Sequence, residues 1–120
     1  MSDFRNLIVW QKAHSLALDV YRATAAFPQS ELYGLTTQMR RCCVSIGSNI
    51  AEGCGRVGEN EKGRFLRIAS GSQSELEYQL LLAKDLGYLK SEIADDLSNR
   101  AREVGRMLAS LIEKVKVAHA

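Results

Sequence analysis

The chain of 120 residues contains one proline, and no segment of it alternates apolar and polar residues. Proline interrupts helices and strict alternation is typical of half-buried strands, so these two absences favour long helices over β-structure. No apolar run approaches the roughly 20 residues that a membrane-spanning helix needs. The composition therefore predicts an all-α, soluble protein that does not enter a membrane.

Cysteine is also scarce. Cys42, Cys43 and Cys54 are odd in number, and no C-x-x-C pair occurs. Neighbouring residues point about 100° apart on a helix, so we expect buried thiols rather than a disulfide framework. The N-terminal residues include no basic leader and no cleavage site, which predicts a cytoplasmic protein. The two histidines lie far apart without Cys or carboxylate at ligand spacing, so neither a metal nor another cofactor is predicted.

Net charge is only +2, but the charges are arranged in blocks. Residues 40–67 carry six basic side chains against three acids, whereas residues 75–96 carry six acids against two lysines. Arginines at helical spacing could form stripes that contact phosphates, or they could be solvated faces balanced by acids. The arginines concerned are Arg40, Arg41, Arg64, Arg67, Arg102 and Arg106.

Four segments show apolar residues in alternating steps of four and three, the pattern of amphipathic helices. They run from Val9 to Phe27, through residues 35–53 and 65–86, and from Ile93 to Val115. Phe27-Pro28 ends the first, and Gly87 ends the third because glycine is favoured just past a helix. Four helices joined by short turns predict an antiparallel up-down-up-down four-helix bundle, with residues 1–120 forming a single domain.

The middle of two predicted helices is unusually small and polar. Residues 45–49 read SIGSN and residues 70–74 read SGSQS, where more aliphatic side chains are expected. Glycine inside a helix is destabilising by roughly 0.5–1 kcal/mol relative to alanine, which indicates a packing reason. We expect a close helix crossing with a polar cluster of Ser45, Asn49, Glu52 and Gln73, although some of these side chains could simply face solvent.

Residues 53–58 read GCGRVG and match the dinucleotide-binding pattern G-x-G-x-x-G. That fingerprint requires a β-strand before its first glycine, whereas Gly53 ends a predicted helix. Glu59-Asn60 also replace the Lys and Ser/Thr of a P-loop. The segment is therefore predicted to be a turn between antiparallel helices. No nucleophile–base pair and no Glu-x-x-His pair occurs, so we predict that the protein is not an enzyme.

The first predicted helix has a second apolar stripe. Leu7, Trp10, Ala17 and Tyr21 lie off the seam that starts at Val9. A small bundle with more than one apolar stripe per helix has apolar surface left over after its core is filled. This surplus favours self-assembly.

Three segments resemble a known family. Residues 4–14, 33–56 and 65–89 carry FRNLIVWQKAH, YGLTTQMRRCCVSIGSNIAEGCGR and FLRIASGSQSELEYQLLLAKDLGYL. These strings are similar to the four helix bundle protein family, which includes the intervening-sequence proteins encoded within 23S ribosomal RNA genes. The family is related to the accessory variability determinants of diversity-generating retroelements. Gly47 stands where the family commonly has a proline that would kink the helix.

The resemblance implies an all-α bundle that assembles into a ring, typically a homopentamer. The retroelement accessory proteins bind nucleic acid and a reverse transcriptase through basic surfaces. By that analogy, the six arginines become candidates for contact with phosphate. The sequence thus predicts a non-enzymatic homo-oligomer that binds RNA or a ribonucleoprotein partner. The alternatives are a protein–protein adaptor without nucleic-acid binding and, last, an enzyme or small-ligand binder that uses Asn49, Glu52 and Gln73 of the polar cluster.

Overall fold

A computed structural model describes the backbone of residues 3–119 and the side chains of residues 3–116. The four helices are α1 (Ile8–Thr24), α2 (Leu35–Cys54), α3 (Glu59–Asp85) and α4 (Ser91–His119). Single 3-10 turns at Phe4–Asn6 and Gln29–Glu31 precede α1 and α2. No strand occurs within residues 3–119, so the predicted all-α class is confirmed.

Each helix packs on the next one along the chain, and α4 returns to α1. Cross-helix contacts run in opposite order in each pair. Along α2 and α3, Ser45 lies opposite Ser72, while Gly53 lies opposite Phe65. The same reversal is seen between α3 and α4, in the contacts Lys84–Asp95 and Gln73–Gly105. It is seen between α1 and α2, in Thr24–Arg40 and Trp10–Gly47. It is also seen between α1 and α4, in Asp19–Arg100 and Lys12–Glu103. The four-helix bundle is confirmed, and its helices run antiparallel.

The turn between α3 and α4 follows the sequence prediction. Gly87 has φ +80°, a left-handed conformation that glycine adopts without strain. The Tyr88 N–H donates to the Ala83 carbonyl at 2.9 Å, and the Gly87 N–H donates to the Lys84 carbonyl at 3.0 Å. These two bonds form a Schellman motif, which satisfies carbonyls at the end of α3. Gly87 therefore ends this helix as its sequence position predicted.

The GCGRVG segment forms the predicted turn between antiparallel helices. It follows helix α2 rather than a strand, and residues 55–58 form the turn into α3. The Gly55 N–H donates to the carbonyls of Ala51 and Glu52 at 3.2 and 3.1 Å, which closes the last turn of α2. A phosphate cradle after a strand is absent at this position.

The predicted seams form the core except at the α3–α4 turn, where Leu86 and Ile93 are about half exposed. Among the buried residues are Leu16, Met39, Leu76 and Leu108, one from each helix, with at most 1% of their surface exposed. Burial, with a further contribution from Glu75, raises the pKa of the Cys42 thiol to about 11. Burial also raises the pKa of the Cys43 thiol to about 12. Helix α2 continues without interruption through Gly47, where the family proline is missing.

Candidate nucleic-acid interface

Arg40 joins α1 to α2. Its Nε donates to Thr24 Oγ1 at 2.9 Å and its Nη2 donates to the Tyr21 carbonyl at 3.2 Å. The guanidinium also lies over the Tyr21 ring, 4.7 Å from the centroid. A side chain held by two hydrogen bonds and a cation–π contact has little freedom to meet a phosphate, so Arg40 serves first as a clamp between two helices.

Arg41 points elsewhere, because neighbouring helical residues differ by about 100° in direction. It is exposed, and it makes no ion pair or hydrogen bond with the side chains of residues 3–116. The Arg40–Arg41 pair thus separates into one engaged and one available guanidinium. The half-buried Arg40 guanidinium is satisfied by its hydrogen bonds, and the Arg41 guanidinium faces solvent.

Arg64 lies at the end of the bundle where α2 turns into α3, together with Arg56. Their guanidinium carbons lie 4.4 and 5.0 Å from the centroid of the Phe65 ring. Arg64 donates to Glu61, and these hydrogen bonds hold the pKa of that carboxyl below its ordinary value. Arg56 donates to Glu52 at 2.9 Å. Two arginines thus share one aromatic ring, and each of them is also paired with a carboxylate.

Sequence reasoning did not single out Arg56. It lies in the α2–α3 turn, outside the helical spacing used to group arginines into stripes. Only the reversal of the chain brings it to the ring that Arg64 also contacts. The one available signal was its position within the basic block of residues 40–67.

Arg67, Arg102 and Arg106 occupy the outer surfaces of α3 and α4. Arg102 donates to Asn99 Oδ1 at 2.7 Å and lies 4.0 Å from Glu77. By contrast, Arg67 and Arg106 make no ion pair with any side chain of residues 3–116. Three of the six candidate arginines (Arg41, Arg67 and Arg106) are therefore exposed and uncompensated in this part of the chain.

The two ends of the bundle differ in charge. A Cβ added at Gly63 would meet Val115 at 3.4 Å, so the last turns of α4 lie beside the α2–α3 turn. This end carries the six basic residues Arg56, Lys62, Arg64, Arg67, Lys114 and Lys116 against the four acids Glu52, Glu59, Glu61 and Glu113. At the other end, the α3–α4 turn and the start of α4 carry Asp85, Glu92, Asp95 and Asp96. The part of the basic block from Arg56 to Arg67 thus lies at the opposite end from the acidic turn of a molecule 46 Å long, whereas Arg40 and Arg41 of the same block lie nearer the acidic end, beside Tyr21 and Thr24.

The predicted polar cluster is divided in the structure. The hydroxyls of Ser45 and Ser72 share a hydrogen bond of 2.7 Å between α2 and α3, and Asn49 Nδ2 donates to the Ser45 carbonyl at 2.8 Å. Gln73 instead turns toward α4, where it packs on Gly105, because it is one residue on from Ser72. Glu52 is exposed and pairs with Arg56. The structure therefore joins Ser45 and Asn49 and separates them from Glu52 and Gln73.

No group of three His, Cys, Asp or Glu side chains lies close enough to hold a metal ion within the residues that the structure describes. Over the same residues, no helix is both long and apolar enough to cross a membrane.

The fold and surface define a class: a small antiparallel four-helix bundle with exposed arginines and one basic end. Residues 5–110 match the family of the 23S rRNA-intervening sequence protein. The chain belongs to this family, as the sequence resemblance predicted.

A solved structure has the same fold over most of its length. It is a protein of unknown function from the S23 ribosomal protein family of Bacteroides thetaiotaomicron VPI-5482, with 25% sequence identity and a TM-score of 0.79. The similarity covers 88% of this chain and 98% of the other. No curated protein matches this chain.

Proposed function

We propose that this protein is a non-enzymatic homo-oligomer that binds RNA, or a ribonucleoprotein partner, through its basic surface. Membership of the 23S rRNA-intervening sequence protein family supports the type of partner. The observation that carries the proposal is the set of exposed arginines without an ion pair among residues 3–116, namely Arg41, Arg67 and Arg106. Charges that are not neutralised within the protein are the ones whose pairing with phosphates releases counterions.

Assembly would strengthen this interaction. In a ring whose subunits stand side by side, the basic ends of all subunits would lie on the same rim. Each added subunit repeats Arg67, Lys114 and Lys116, which make no ion pair among residues 3–116, beside the ion-paired Arg56 and Arg64. Several weak phosphate contacts then act together, since linked sites raise the effective local concentration of ligand. A single bundle with net charge +2 would bind a polyanion far less well.

Filter binding of structured RNA at several salt concentrations tests the proposal. Binding should weaken steeply as salt rises, with a slope in log K of about −0.7 to −0.9 for each phosphate neutralised. Alanine at Arg41, Arg67 or Arg106 should lower affinity at low salt and make the slope shallower. Lys90→Ala is the matched control, because it removes one exposed charge at the acidic end and should leave binding unchanged.

Two results would contradict RNA binding through this surface. One is the absence of binding at low salt with protein in its assembled state. The other is a triple variant, Arg41→Ala/Arg67→Ala/Arg106→Ala, that binds RNA with wild-type affinity and the same salt slope.

A protein–protein adaptor without nucleic-acid binding is the second candidate. It is favoured by large apolar side chains on the surface, including Tyr78 with 61% of its surface exposed. Pull-down from lysate treated with nuclease separates the two functions. A partner retained after nuclease treatment, combined with no RNA binding by the purified protein, would favour the adaptor.

A further inference from the structure

An apolar groove runs along the outside of the α1–α2 pair. It has a volume of about 440 Å³ and is lined mostly by carbon atoms of aromatic and aliphatic side chains. We call it the α1–α2 groove and define it by Trp10, His14, Ala17, Tyr21, Val44 and Gly47. Sites for small molecules are typically concave, roughly 300–1,000 Å³ in volume and largely apolar. The α1–α2 groove therefore has the size and the lining of a small-molecule site.

One stripe of residues from each helix forms the groove. On α1 the stripe runs from Trp10 to Tyr21 in steps of four, three and four residues, and on α2 it comprises Val44, Gly47 and Ala51. Residues at this spacing share one side of a helix. The rise of an α-helix places Tyr21 about 16 Å from Trp10 along the axis. A Cβ added at Gly47 would meet only Trp10 Nε1, at 3.8 Å, so the groove is open between its ends. This elongated shape favours an extended aliphatic chain over a compact ring system.

Aromatic contacts fix one end of the groove. The Trp10 indole stacks on the His14 ring, with centroids 4.8 Å apart and planes 8° from parallel. The Phe4 ring meets the same indole edge-on, at 4.9 Å and 67°. Aromatic pairs at these separations stabilise each other. This wall is therefore formed before any ligand arrives, which lowers the cost of binding.

Arg40 closes the other end. It precedes Val44 by four residues and so continues the α2 stripe, and its guanidinium lies 4.7 Å from the centroid of the Tyr21 ring. Its hydrogen bonds go to Thr24 Oγ1 and the Tyr21 carbonyl, and it has no carboxylate partner among residues 3–116. A guanidinium has five N–H groups, so donors remain for a ligand. Because Arg40 is held in place, it can receive an acid group that the groove positions, although it cannot follow a mobile phosphate chain.

A second cavity shows that this charge pattern is not general. It lies between α3 and α4 and has a volume of about 410 Å³. Its basic side chains are compensated, since Lys84 lies 2.9 Å from Asp95 and Arg102 lies 4.0 Å from Glu77. The α1–α2 groove instead combines an apolar lining with a fixed cation that has no carboxylate partner among residues 3–116. Charge complementarity therefore favours a negatively charged ligand in the α1–α2 groove alone.

We propose that the α1–α2 groove binds a small amphiphilic acid with an extended aliphatic chain. The chain lies between Trp10 and Val44, and the carboxylate meets the Arg40 guanidinium. Burial of the chain supplies affinity, and the charged hydrogen bond selects the acid and fixes its direction in the groove. This site is separate from the RNA-binding surface, because Arg40 is not one of the three exposed arginines on which that proposal depends.

Trp10 is the only tryptophan of the chain, so its fluorescence reports directly on the groove. Decanoate, titrated below its micelle concentration, should shift the emission to the blue and saturate with a Kd on the order of 100 μM. Decan-1-ol and decylamine carry the same aliphatic chain without the negative charge. Each should bind at least about tenfold more weakly, because the hydrogen bond between two charged groups is missing. Circular dichroism at each end point checks that the protein stays folded.

An arginine variant separates charge from shape. Arg40→Met removes the guanidinium and keeps most of the side-chain volume. It should weaken decanoate binding about tenfold and leave decan-1-ol binding unchanged. Arg106→Met is the matched control, because Arg106 is an exposed arginine of α4, which makes no close backbone contact with α2 within residues 3–119. It should bind decanoate as the wild type does.

A glycine variant blocks the groove itself. Gly47→Leu places a side chain inside the groove and should abolish decanoate binding in isothermal titration calorimetry, which does not depend on the surroundings of Trp10. Gly71→Leu is the matched control, since a Cβ at Gly71 in α3 meets nothing within 4 Å. If Gly47→Leu does not fold by circular dichroism, Val44→Glu replaces it. Val44 is half exposed, and a carboxylate four residues from Arg40 would compete for its guanidinium.

Four results would overturn the inference. The first is no saturable change of Trp10 emission with decanoate in the millimolar range. The second is equal affinity for the acid, the alcohol and the amine, which would make the groove an apolar surface without selectivity for an acid. The third is wild-type binding of decanoate by Gly47→Leu. The fourth is an Arg40→Met variant that loses decan-1-ol as well as decanoate, which would mean that Arg40 maintains the shape of the groove rather than binding the ligand.

Discussion

The side-chain amide of Gln73 in α3 lies directly against the backbone of Gly105 in α4. A Cβ built at position 105 would be 2.6 Å from Gln73 Oε1 and 2.7 Å from its Cδ. Gln73 is buried, with 4% of its surface exposed, and its amide also donates to the Glu77 carboxylate in the next turn of the same helix. The polar group is therefore accommodated because α4 has no side chain at this point.

This relationship predicts different responses to the same substitution at two helical glycines. Gly71→Ala should raise the free energy of unfolding by about 0.5–1 kcal/mol, since a Cβ there meets nothing within 4 Å and alanine is the better helix former. Gly105→Ala should raise the free energy of unfolding by less than Gly71→Ala does, or should lower it, because the buried Gln73 amide has to move. Urea unfolding of the two variants measures the difference.

The double variant Gly105→Ala/Gln73→Ala isolates the cause. Without the Gln73 amide, Gly105→Ala should raise the free energy of unfolding by about as much as Gly71→Ala does. An unchanged effect of Gly105→Ala in the Gln73→Ala background would show that the contact does not determine the outcome.

Glu31 predicts a second coupling, between the start of α2 and the end of α3. Its Oε1 accepts from the Leu35 N–H at 3.2 Å, and its Oε2 accepts from the Tyr88 hydroxyl at 2.9 Å. Glu31→Ala removes both bonds and should lower the free energy of unfolding more than Tyr88→Phe, which removes only one. Thermal unfolding ranks the two variants, and an equal loss would mean that the capping bond contributes nothing.

The same contact raises the pKa of Tyr88, chiefly through the hydrogen bond to Glu31. A pKa raised in the folded state means that the stabilisation is complete below the ordinary tyrosine pKa of about 10 and is lost as pH rises through the folded value. An NMR titration should find Tyr88 ionising above the ordinary tyrosine pKa of about 10. Glu31→Gln should reduce the difference.

The sequence determined the helices well because periodicity is a local property. The core positions Val20, Ile46 and Leu80 all follow from apolar residues recurring along one helix. Gly87 was equally readable, since a left-handed helix end favours glycine whatever surrounds it. The contact between Gln73 and Gly105 could not be predicted from the sequence, because it depends on how α3 and α4 are rotated about their axes.

The candidate surface was predicted less completely for the same reason. Spacing grouped Arg64 with Arg67, which share one helix, but it could not show that Arg56 reaches the same ring as Arg64 across the turn. Nor could it show that Arg40 is occupied by Thr24 while its neighbour Arg41 is not. Which arginines are available depends on tertiary partners, and these appear only once the helices are packed.

Cys42 and Cys43 predict a third measurable property. Both side chains are buried, and burial is the main reason that their pKa values rise to about 11 and about 12. Because the thiolate is the reactive form, a thiol reagent at pH 8 should label them only as the protein unfolds. In a Cys54→Ser background, labelling followed by mass spectrometry should track global unfolding as urea is added. Labelling that is much faster than unfolding would reveal local opening of α2.

Asp19 provides the last prediction, on pH dependence. Hydrogen bonds from Arg100, at 2.8 Å, and from Arg22 hold the pKa of this carboxyl below its ordinary value. A carboxyl whose pKa is lower when folded stabilises the protein above the unfolded pKa of about 3.9, and this stabilisation is lost as pH falls through the folded value. Asp19→Asn should therefore destabilise the protein at pH 7, by roughly 0.5–1 kcal/mol, because the side chain is 37% exposed and solvent screens the pair. The difference in unfolding free energy between Asp19→Asn and the wild type should shrink steadily below about pH 4.

Glu113→Gln is the control, since it removes an exposed carboxylate without an ion pair among residues 3–116 and should show no comparable loss of stability at pH 7. A wild-type advantage over Asp19→Asn that stayed constant down to pH 2 would mean that the Arg100 contact stabilises α1 against α4 by packing rather than by charge.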